Sequence, residues 1–347
     1  DRLKVARNPM VIVGGGGWSD QAAKDLGSFA AALGLPVGTS FRCQDYIDNR
    51  HPNYVGDVGI APNPELATLV AKSDCILVLG ARLGEMTSGG YELFDTPNPR
   101  QKIIHIHADP NEIGRVYRPE IGLACKSGEF LSTAMELIAG QSAAPPAAPR
   151  AAYERWQQPF QTPGAVKMEQ VITHASEVLP HDAIITNGAG NYAGWQHRYY
   201  CYKSYRTQLA PTSGSMGYGL PAAVAAKLAN PSKEVICFAG DGCFQMTMQE
   251  FGTAAQYGAK VIVIVVNNGV YGTIRMHQQR SYPERPSGTT LQNPDFAGLA
   301  QCYGGYGEHV YKTEEFPAAL ARARAASTSA IIELHTDPSA VSPRTAG

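Results

Sequence analysis

The feature that most constrains this fold is an alternation between short, β-branched apolar runs and longer segments with helical apolar spacing. Runs such as residues 260–266 are nearly uninterrupted, so they predict strands that are buried on both faces of a parallel sheet. Helical patterns such as residues 216–228 separate these runs. Two blocks of this alternation predict an α/β fold with two doubly wound parallel-sheet domains joined by an Ala/Pro linker.

A segment rich in Ala, Pro and Ser divides the two blocks. Residues 141–152 carry no apolar period, and their prolines favour extended backbone, so we predict a linker there. The predicted domains are therefore residues 1–140 and residues 153–347.

Composition and charge exclude several classes of partner. The 29 Lys and Arg residues against 30 Asp and Glu give a formal net charge of −1, so no basic field holds a phosphate backbone. No apolar run approaches the ~18 residues that span a bilayer, and we expect neither a nucleic-acid nor a membrane partner. The seven cysteines are scattered without a C-x-x-C pair, which favours a cytoplasmic protein without disulfides or a cysteine zinc site.

The most informative stretch covers residues 234–271. It predicts a strand, a Gly-Asp-Gly turn at 240–242, a helix, a second strand and then Asn267 and Asn268. A right-handed crossover places Asp241 and Asn268 at the carboxyl ends of neighbouring strands, where open α/β sheets bind ligands. Hard oxygen donors beside an anion-binding glycine turn suit Mg²⁺ with phosphate oxygens. Each motif alone is also typical of an ordinary turn or a helix cap.

These residues resemble those of the thiamine-diphosphate-dependent enzymes, specifically the acetolactate synthase-like branch. The matching segments are GDGCFQMTMQE…VIVIVVNNGVYG, PTSGSMGYGLPAAVAAKLANP and IIHIHADPNEIGRVYRP, and the resemblance covers nearly the whole chain. It implies the thiamine diphosphate (ThDP)- and Mg²⁺-binding portion of a decarboxylase or carboligase, a lyase or transferase acting on a small-molecule 2-oxo acid. It also implies a Rossmann-like first domain that binds FAD, ADP or no ligand.

The resemblance assigns roles to individual residues. Asp241 and Asn268 would bind Mg²⁺ through their side chains, and Val270 through its backbone carbonyl. Gly214 and Met216 would hold the aminopyrimidine in a bent cofactor, whereas Met216 by itself is typical of a core methionine that opens a helix. The other cofactor-binding positions implied by the resemblance are Gly188, Gly190, Asn191, Gly240, Gly242, Cys243, Met246, Tyr271 and Gly272.

The resemblance places the substrate beside the segment that follows the metal loop. Thr273, Ile274 and His277 match substrate-lining positions, where acetolactate synthases tend to carry apolar residues or, at the position of His277, Trp. His277 would serve as a general acid or base because the pKa of histidine suits that work. The alternative is a solvent-facing histidine on a helix. The departure from the family pattern leaves the donor and acceptor substrates open.

The glycine-rich turn of the first block does not predict a nicotinamide cofactor. Residues 11–17 form a strand and a glycine run, but Ser19 or Asp20 falls where the third glycine of the dinucleotide fingerprint belongs. In the flavin-containing members that the chain resembles, Arg82 and Asp109 match positions near FAD.

The resemblance also implies a domain that this sequence does not contain. Family members carry an activating glutamate on an N-terminal pyrimidine-binding domain of a partner subunit, and no Glu here lies in a matching context. We expect that domain either upstream of Asp1 in a longer polypeptide or on another chain, and a homodimer or homotetramer as the assembly. The chain alone is then expected to be inactive. The alternative function is a noncatalytic module that binds ThDP or a nucleotide.

Overall fold

Two parallel six-stranded sheets organise residues 1–343, the part of the chain that the computed structural model describes. Unit 1 comprises Asp1–Gln158 and the short segment Cys201–Arg206. Unit 2 comprises Pro159–Tyr200 and the described residues from Thr207 onward. Residues 344–347, the end of the predicted second domain, lie outside the described residues. The two sheets with their flanking helices confirm the predicted α/β class.

Unit 1 has the strand order β3-β2-β1-β4-β5-β6, which reverses direction between β1 and β4 as doubly wound sheets do. Its strands are β1 (Pro9–Val13), β2 (Val37–Ser40), β3 (Tyr54–Val58), β4 (Cys75–Leu79), β5 (Lys102–His107) and β6 (Ile121–Ala124). Its helices are α1 (Arg2–Val5), α2 (Asp20–Leu33), α3 (Pro64–Lys72), α4 (Ser127–Leu137) and α5 (Ala147–Trp156), with 3₁₀ turns at Gln44–Tyr46 and Pro110–Glu112.

The centre of this sheet shows why its strands lack polar alternation. Val11 and Val13 of β1 belong to one apolar cluster, whereas Met10 and Ile12 belong to a separate cluster. Because successive side chains of a strand point to opposite faces, the two clusters lie on the two sides of the sheet. All four side chains are fully buried.

Helix α5 begins inside the stretch that the sequence predicts as the 141–152 linker. Its alanines favour helix, and Arg150 forms an ion pair with Glu154 one turn later at 2.8 Å. The ring of Tyr153 packs edge-on against Tyr54 with 5.0 Å between ring centroids. The whole predicted linker, residues 141–152, lies within unit 1, and the division between the units falls after Gln158.

Unit 2 has the strand order β11-β12-β10-β9-β7-β8. Its strands are β7 (Ile184–Asn187), β8 (Gln208–Leu209), β9 (Val235–Gly240), β10 (Ile262–Asn267), β11 (Tyr306–Val310) and β12 (Ala330–His335). Its helices are α6 (Met168–Val178), α7 (Ala193–Tyr199), α8 (Gly219–Ala229), α9 (Asp241–Phe244), α10 (Glu250–Gln256), α11 (Gly272–Ser281), α12 (Phe296–Cys302) and α13 (Phe316–Ala325), with a 3₁₀ turn at Thr313–Glu315.

The order of this second sheet reverses between β7 and β9, so the carboxyl ends of β7, β9 and β10 form the edge at which such sheets open a crevice. Phe244 and Phe251 pack with Val263 and Val265 of β10 in a buried cluster beneath that edge. Within residues 1–343, none of the helices has the length and apolar character needed to cross a membrane.

Candidate functional site

The candidate site lies where β7, β9 and β10 end side by side. β9 ends at Gly240 and leads directly into Asp241, while β10 ends at Asn267 and leads into Asn268. The parallel register pairs Val266 with Gly240, so the residues that follow both strands emerge at the same edge. This is the placement that the crossover between the two motifs predicts.

A pocket of about 260 Å³ opens at this edge within unit 2. Most of the residues that the sequence singles out line it together. The predicted residues that line the pocket are Gly190, Asn191, Gly214, Met216, Gly240, Asp241, Gly242, Cys243, Asn268, Val270, Tyr271, Gly272, Thr273 and Ile274. Ala189, Tyr192 and Val266 complete the lining.

Three of the residues predicted for the ThDP and substrate site lie outside the lining. Gly188 is buried behind it, where an added Cβ would come within 2.4 Å of the Cys243 Sγ atom, so this glycine permits the packing of a lining residue. Met246 is 49% exposed. His277 is exposed one turn beyond Thr273 on α11, and its Nδ1 atom lies 3.1 Å from Nη2 of Arg280.

Asp241 is a buried carboxylate held by neutral donors. Its Oδ1 atom accepts the N–H of Gly242 at 2.8 Å, and its Oδ2 atom accepts the N–H of Gly269 at 2.8 Å and Nδ2–H of Asn293 at 2.7 Å. Burial raises the pKa of Asp241, and the hydrogen bonds from Asn293 and the backbone offset part of that rise. Among the described residues, no Lys, Arg or His forms an ion pair with Asp241.

The loop after β10 carries two further oxygen atoms that could bind a metal, the side-chain oxygen of Asn268 and the backbone carbonyl of Val270. Both residues line the same pocket as Asp241. Gly269 has a φ of +67°, which turns the chain sharply after Asn268. The Asn268 Oδ1 atom accepts the N–H of Val270 at 3.1 Å. The carbonyl of Gly269 accepts the N–H of Leu291 at 2.8 Å, so the loop is fixed from outside.

The residues present fit a magnesium ion that carries a phosphate group. The available donors are a carboxylate, a side-chain amide and a backbone carbonyl, which are the hard oxygen ligands that Mg²⁺ takes. A divalent cation would also compensate the buried charge of Asp241. Glycine at 240 and 242 is required by the rings that form the wall, since an added Cβ would come within 2.8 Å of Tyr192 and 2.5 Å of Tyr271, respectively.

Two residues that shape the site, Asn293 and Tyr192, belong to none of the motifs recognised in the sequence. Asn293 donates from Nδ2 to Asp241 and also to Oδ1 of Asn267 at 2.8 Å, although α11 and an irregular segment separate it from β10. Tyr192 donates from its hydroxyl to Sγ of Cys243 at 3.5 Å and accepts the N–H of Gly188 at 3.0 Å. Burial holds the pKa of Tyr192 well above its ordinary value, so the phenol remains a donor at neutral pH.

Comparison with known families gives this geometry a context. The family model described as "Thiamine pyrophosphate enzyme, C-terminal TPP binding domain" matches residues 188–334, which include the whole pocket lining. The model described as "Thiamine pyrophosphate enzyme, central domain" matches residues 1–134. The chain belongs to the thiamine pyrophosphate enzyme family. Thiamine pyrophosphate is another name for ThDP, so the family agrees with the resemblance carried by the motifs.

Curated relatives within the thiamine pyrophosphate enzymes include several acetolactate synthase large subunits. That of Parasynechococcus marenigrum is 31% identical over 345 residues, which cover 96% of this chain and 55% of the relative. That of Corynebacterium glutamicum is 32% identical over 336 residues, covering 92% and 53%. The isozyme 2 large subunit of Escherichia coli is 28% identical over 321 residues, covering 92% and 58%. The chain thus spans little more than half the length of these relatives.

The two residues predicted to lie near a flavin are in unit 1. Arg82 follows β4, and its Nε atom donates to Oε2 of Glu112 at 3.0 Å. Asp109 follows β5 and caps a 3₁₀ turn by accepting the N–H of Asn111 at 2.9 Å. Both residues therefore follow central strands at the carboxyl edge of the first sheet. FAD binding by this chain stays a prediction.

Proposed function

We propose that this chain is the ThDP- and Mg²⁺-binding portion of an acetolactate synthase-like 2-oxo acid decarboxylase or carboligase. The observation that carries the proposal is the buried carboxylate of Asp241, which faces a glycine-lined pocket beside the loop of Asn268 and Val270 and has no cationic side chain paired with it among the described residues. Family membership and the likeness to acetolactate synthase large subunits support the same class of enzyme.

Three residues would hold the metal. Asp241 supplies a carboxylate oxygen, Asn268 a side-chain amide oxygen and Val270 a backbone carbonyl, and phosphate oxygens of the cofactor complete the shell. The hydrogen bonds of Asn293 and Gly269 to Asp241 fix the orientation of the carboxylate, which is the usual task of groups behind a metal ligand.

The glycine-rich wall would hold the diphosphate. A residue without a Cβ lets the backbone approach phosphate oxygens closely, and the N–H groups of such segments are anion donors. Tyr271 and Gly272 lie at the start of α11 and line the pocket together with Asn191. The full set proposed for the diphosphate side is Gly188, Gly190, Asn191, Gly240, Gly242, Cys243, Tyr271 and Gly272.

Gly214 and Met216 would hold the aminopyrimidine on the remaining side of the pocket. Both residues line it, and Gly214 has a φ of +76°, a backbone conformation that favours glycine. Met246 is proposed as a further apolar neighbour of the cofactor. When bound, thiamine diphosphate supplies the electron sink that decarboxylation of a 2-oxo acid requires.

The substrate would approach along the start of α11. Ile274 presents an apolar side chain to the pocket, and Thr273 donates from Oγ1 to Oδ1 of Asn191 at 2.8 Å, which fixes its orientation. His277 is proposed as the acid or base on the substrate side because it lies one helical turn beyond Thr273.

Activation of the cofactor would need a glutamate from outside these residues. No Glu is among the pocket-lining residues of the described chain. We therefore propose that a pyrimidine-binding domain, from a longer form of this polypeptide or from another chain, supplies it within a homodimer or homotetramer.

Calorimetric titration with ThDP tests the metal-linked site. Wild-type protein is expected to bind ThDP only when Mg²⁺ is present, and Asp241→Asn is expected to weaken that binding by at least about tenfold because the charged ligand is lost. The amide oxygen can accept the N–H of Gly242 or that of Gly269 but not both, since these donors reach different oxygens of Asp241. Circular dichroism therefore checks that the variant is folded before its affinity is compared. Asp182→Asn, at an exposed position, serves as the matched control. Equal, Mg²⁺-independent binding by all three proteins would reject the proposal.

Turnover separates the enzyme from the noncatalytic binding module. Pyruvate is expected to be consumed only when a pyrimidine-binding domain with its glutamate is added to the chain, ThDP and Mg²⁺. Product analysis with pyruvate alone and with aldehydes then identifies the acceptor. Tight ThDP binding without any turnover in the complemented mixture would favour the noncatalytic module.

A further inference from the structure

A second group of metal-binding side chains lies on strands β11 and β12 of unit 2. His309 of β11 pairs in register with Glu333 of β12, and His335 follows two residues later on β12. Because side chains two apart on a strand share a face, Glu333 and His335 project to the same side. Neither the sequence motifs nor the proposed ThDP site uses these three residues.

The distances among the donor atoms match those around a single metal ion. His309 Nδ1 lies 3.2 Å from His335 Nε2 and 3.5 Å from Oε2 of Glu333. His335 Nε2 lies 3.6 Å from Oε1 of Glu333. Two nitrogen ligands at about 2.0 Å from a tetrahedral zinc ion are about 3.3 Å apart, so little rearrangement is needed.

The carboxylate of Glu333 is fixed in place by neighbours. It is almost fully buried, accepts Nδ2–H of Asn267 at 2.7 Å on one oxygen, and accepts the N–H groups of Phe296 and Ala297 at 3.0 and 3.2 Å on the other. A carboxylate has about four acceptor sites, so three bonds leave capacity for a metal on the side of the imidazoles.

The imidazole of His309 is oriented as metal-binding histidines usually are, and the ring of His335 is held by stacking. Oδ1 of Asp295 lies 3.3 Å from Nε2 of His309, and an Nε2–H directed to that carboxylate leaves Nδ1 free to bind a metal. The ring of Tyr311 stacks on His335 with 4.4 Å between centroids and 11° between planes.

We propose that His309 Nδ1, His335 Nε2 and the Glu333 carboxylate bind one divalent transition-metal ion of the zinc class. Imidazole nitrogens select Zn²⁺, Co²⁺ or Ni²⁺ over Mg²⁺, which distinguishes this centre from the all-oxygen site at Asp241. Both histidine side chains are about one-third exposed, so an ion has access and water can complete its coordination. The proposal does not depend on the proposed function.

Cobalt is a suitable probe because tetrahedral Co²⁺ absorbs strongly in the visible range. Metal-stripped full chain is titrated with Co²⁺ in excess Mg²⁺, which competes with Co²⁺ for sites made only of oxygen ligands. We expect one Co²⁺ per chain with a tetrahedral spectrum that lacks sulfur-to-cobalt charge transfer. His335→Gln is expected to lower the Co²⁺ affinity at least about tenfold, whereas His181→Gln, at an exposed histidine of the same unit, leaves it unchanged.

X-ray absorption spectroscopy at the zinc edge provides a measurement that needs no variant. The Zn²⁺-loaded wild-type chain is expected to show two imidazoles with ligand distances of about 2.0–2.1 Å. Any of three results would overturn the proposal. The first is the absence of stoichiometric Co²⁺ binding, and the second is binding that His335→Gln does not weaken. The third is a metal shell dominated by sulfur that disappears when the exposed thiol of Cys302 is alkylated. If His335→Gln fails to fold, His309→Gln and the zinc shell of the wild type decide the question.

Discussion

At the scale of single residues, Gly242 links the glycine turn to the shape of the pocket. A Cβ at this position would lie 2.5 Å from Cε1 of Tyr271 and 3.2 Å from Cδ1 of Leu291. Contacts this short force the neighbouring side chains to move. Tyr271 lines the pocket, so the displacement reaches the ligand site.

Gly242→Ala is therefore expected to weaken ThDP binding in the presence of Mg²⁺ by about tenfold, or about 1.4 kcal/mol. Calorimetric titration measures the change. Gly84→Ala is the control, because a Cβ at Gly84 meets nothing within 4 Å. Unchanged ThDP affinity in Gly242→Ala would show that the Tyr271 wall does not contact the ligand.

The residues predicted from the sequence are those that a local motif marks. Asp241 and Asn268 each follow an apolar strand directly, so the crossover rule alone brings them together. Asn293 could not be found in this way, because it reaches Asp241 from an irregular segment whose path the sequence pattern does not specify. For His277, the sequence pattern predicts a position on a helix. The distance of its side chain from the pocket depends on the residue at which α11 begins, and the pattern does not specify that residue.

At the scale of secondary structure, Arg150 joins α5 to the segment around β3 in unit 1. Nη1 of Arg150 donates to the carbonyls of Asn49, His51 and Tyr54 at 2.9, 3.0 and 3.2 Å. The guanidinium also lies over the ring of Tyr153, 5.1 Å from its centroid. Removing the side chain leaves partly buried carbonyls without this donor.

Arg150→Ala is expected to destabilise unit 1 by about 2–3 kcal/mol. Arg155→Ala, on the same helix, removes an exposed ion pair with Glu65 and is expected to cost at most about 1 kcal/mol. Urea denaturation gives the two values, and hydrogen exchange in β3 assigns the loss to unit 1. Similar costs for both variants would contradict the role of Arg150.

A second pair of elements is joined by charge. Glu308 of β11 accepts Nε–H of Arg322 of α13 at 3.1 Å, and this bond, together with one from Tyr306, lowers the pKa of Glu308 below its ordinary value of 4.5. A carboxyl group with a lowered folded-state pKa stabilises the fold above pH 4.5, and this stabilisation is lost as the pH falls through the folded-state pKa.

Glu308→Gln is therefore expected to unfold at lower urea concentration than the wild type at pH 7. The difference is expected to shrink steadily below pH 4.5. Glu314→Gln, at an exposed position of the same unit, is expected to match the wild type throughout. A wild-type advantage over Glu308→Gln that stays constant down to about pH 3 would show that charge is not its source.

The strands that sequence reasoning found and those it missed differ in their position in the sheets. The predicted strands of the 234–271 stretch became the inner strands β9 and β10, which neighbours cover on both edges. The missed strands β3, β6, β8 and β11 are the four sheet edges. Edge strands have one hydrogen-bonded neighbour and tolerate Gly and charged residues, so they lack the continuous apolar run that marks a buried strand.

The second half of the predicted linker is helical in the structure, and its sequence also lacks a marked apolar pattern. Residues 147–152 show no apolar period because few side chains of α5 are buried, and Ala152 and Tyr153 carry its packing. Alanine-rich segments read equally as helix or linker until a tertiary contact such as Arg150 selects the helix.

At the scale of the whole molecule, the two units share one architecture, a doubly wound parallel sheet. They differ in the residues that lie at the carboxyl ends of the strands. Unit 2 combines a buried carboxylate, a sharp asparagine loop and a glycine wall in one pocket, whereas the carboxyl edge of unit 1 carries Arg82 paired with Glu112. We therefore propose that unit 2 binds the metal and the diphosphate. The chain spans little more than half the length of its acetolactate synthase relatives. The activating glutamate remains part of the proposal, which assigns it to a pyrimidine-binding domain.

The central claim is that unit 2 binds a divalent ion bridged to a diphosphate, and pulsed electron–nuclear double resonance on Mn²⁺-substituted protein tests it directly. Mn²⁺ replaces Mg²⁺ at oxygen sites. With ThDP, the wild type is expected to show ³¹P coupling to Mn²⁺, and this coupling is expected to be lost with thiamine or in Asp241→Asn. Protein-bound Mn²⁺ without ³¹P coupling in the presence of saturating ThDP, or coupling that persists unchanged in Asp241→Asn, would contradict the account.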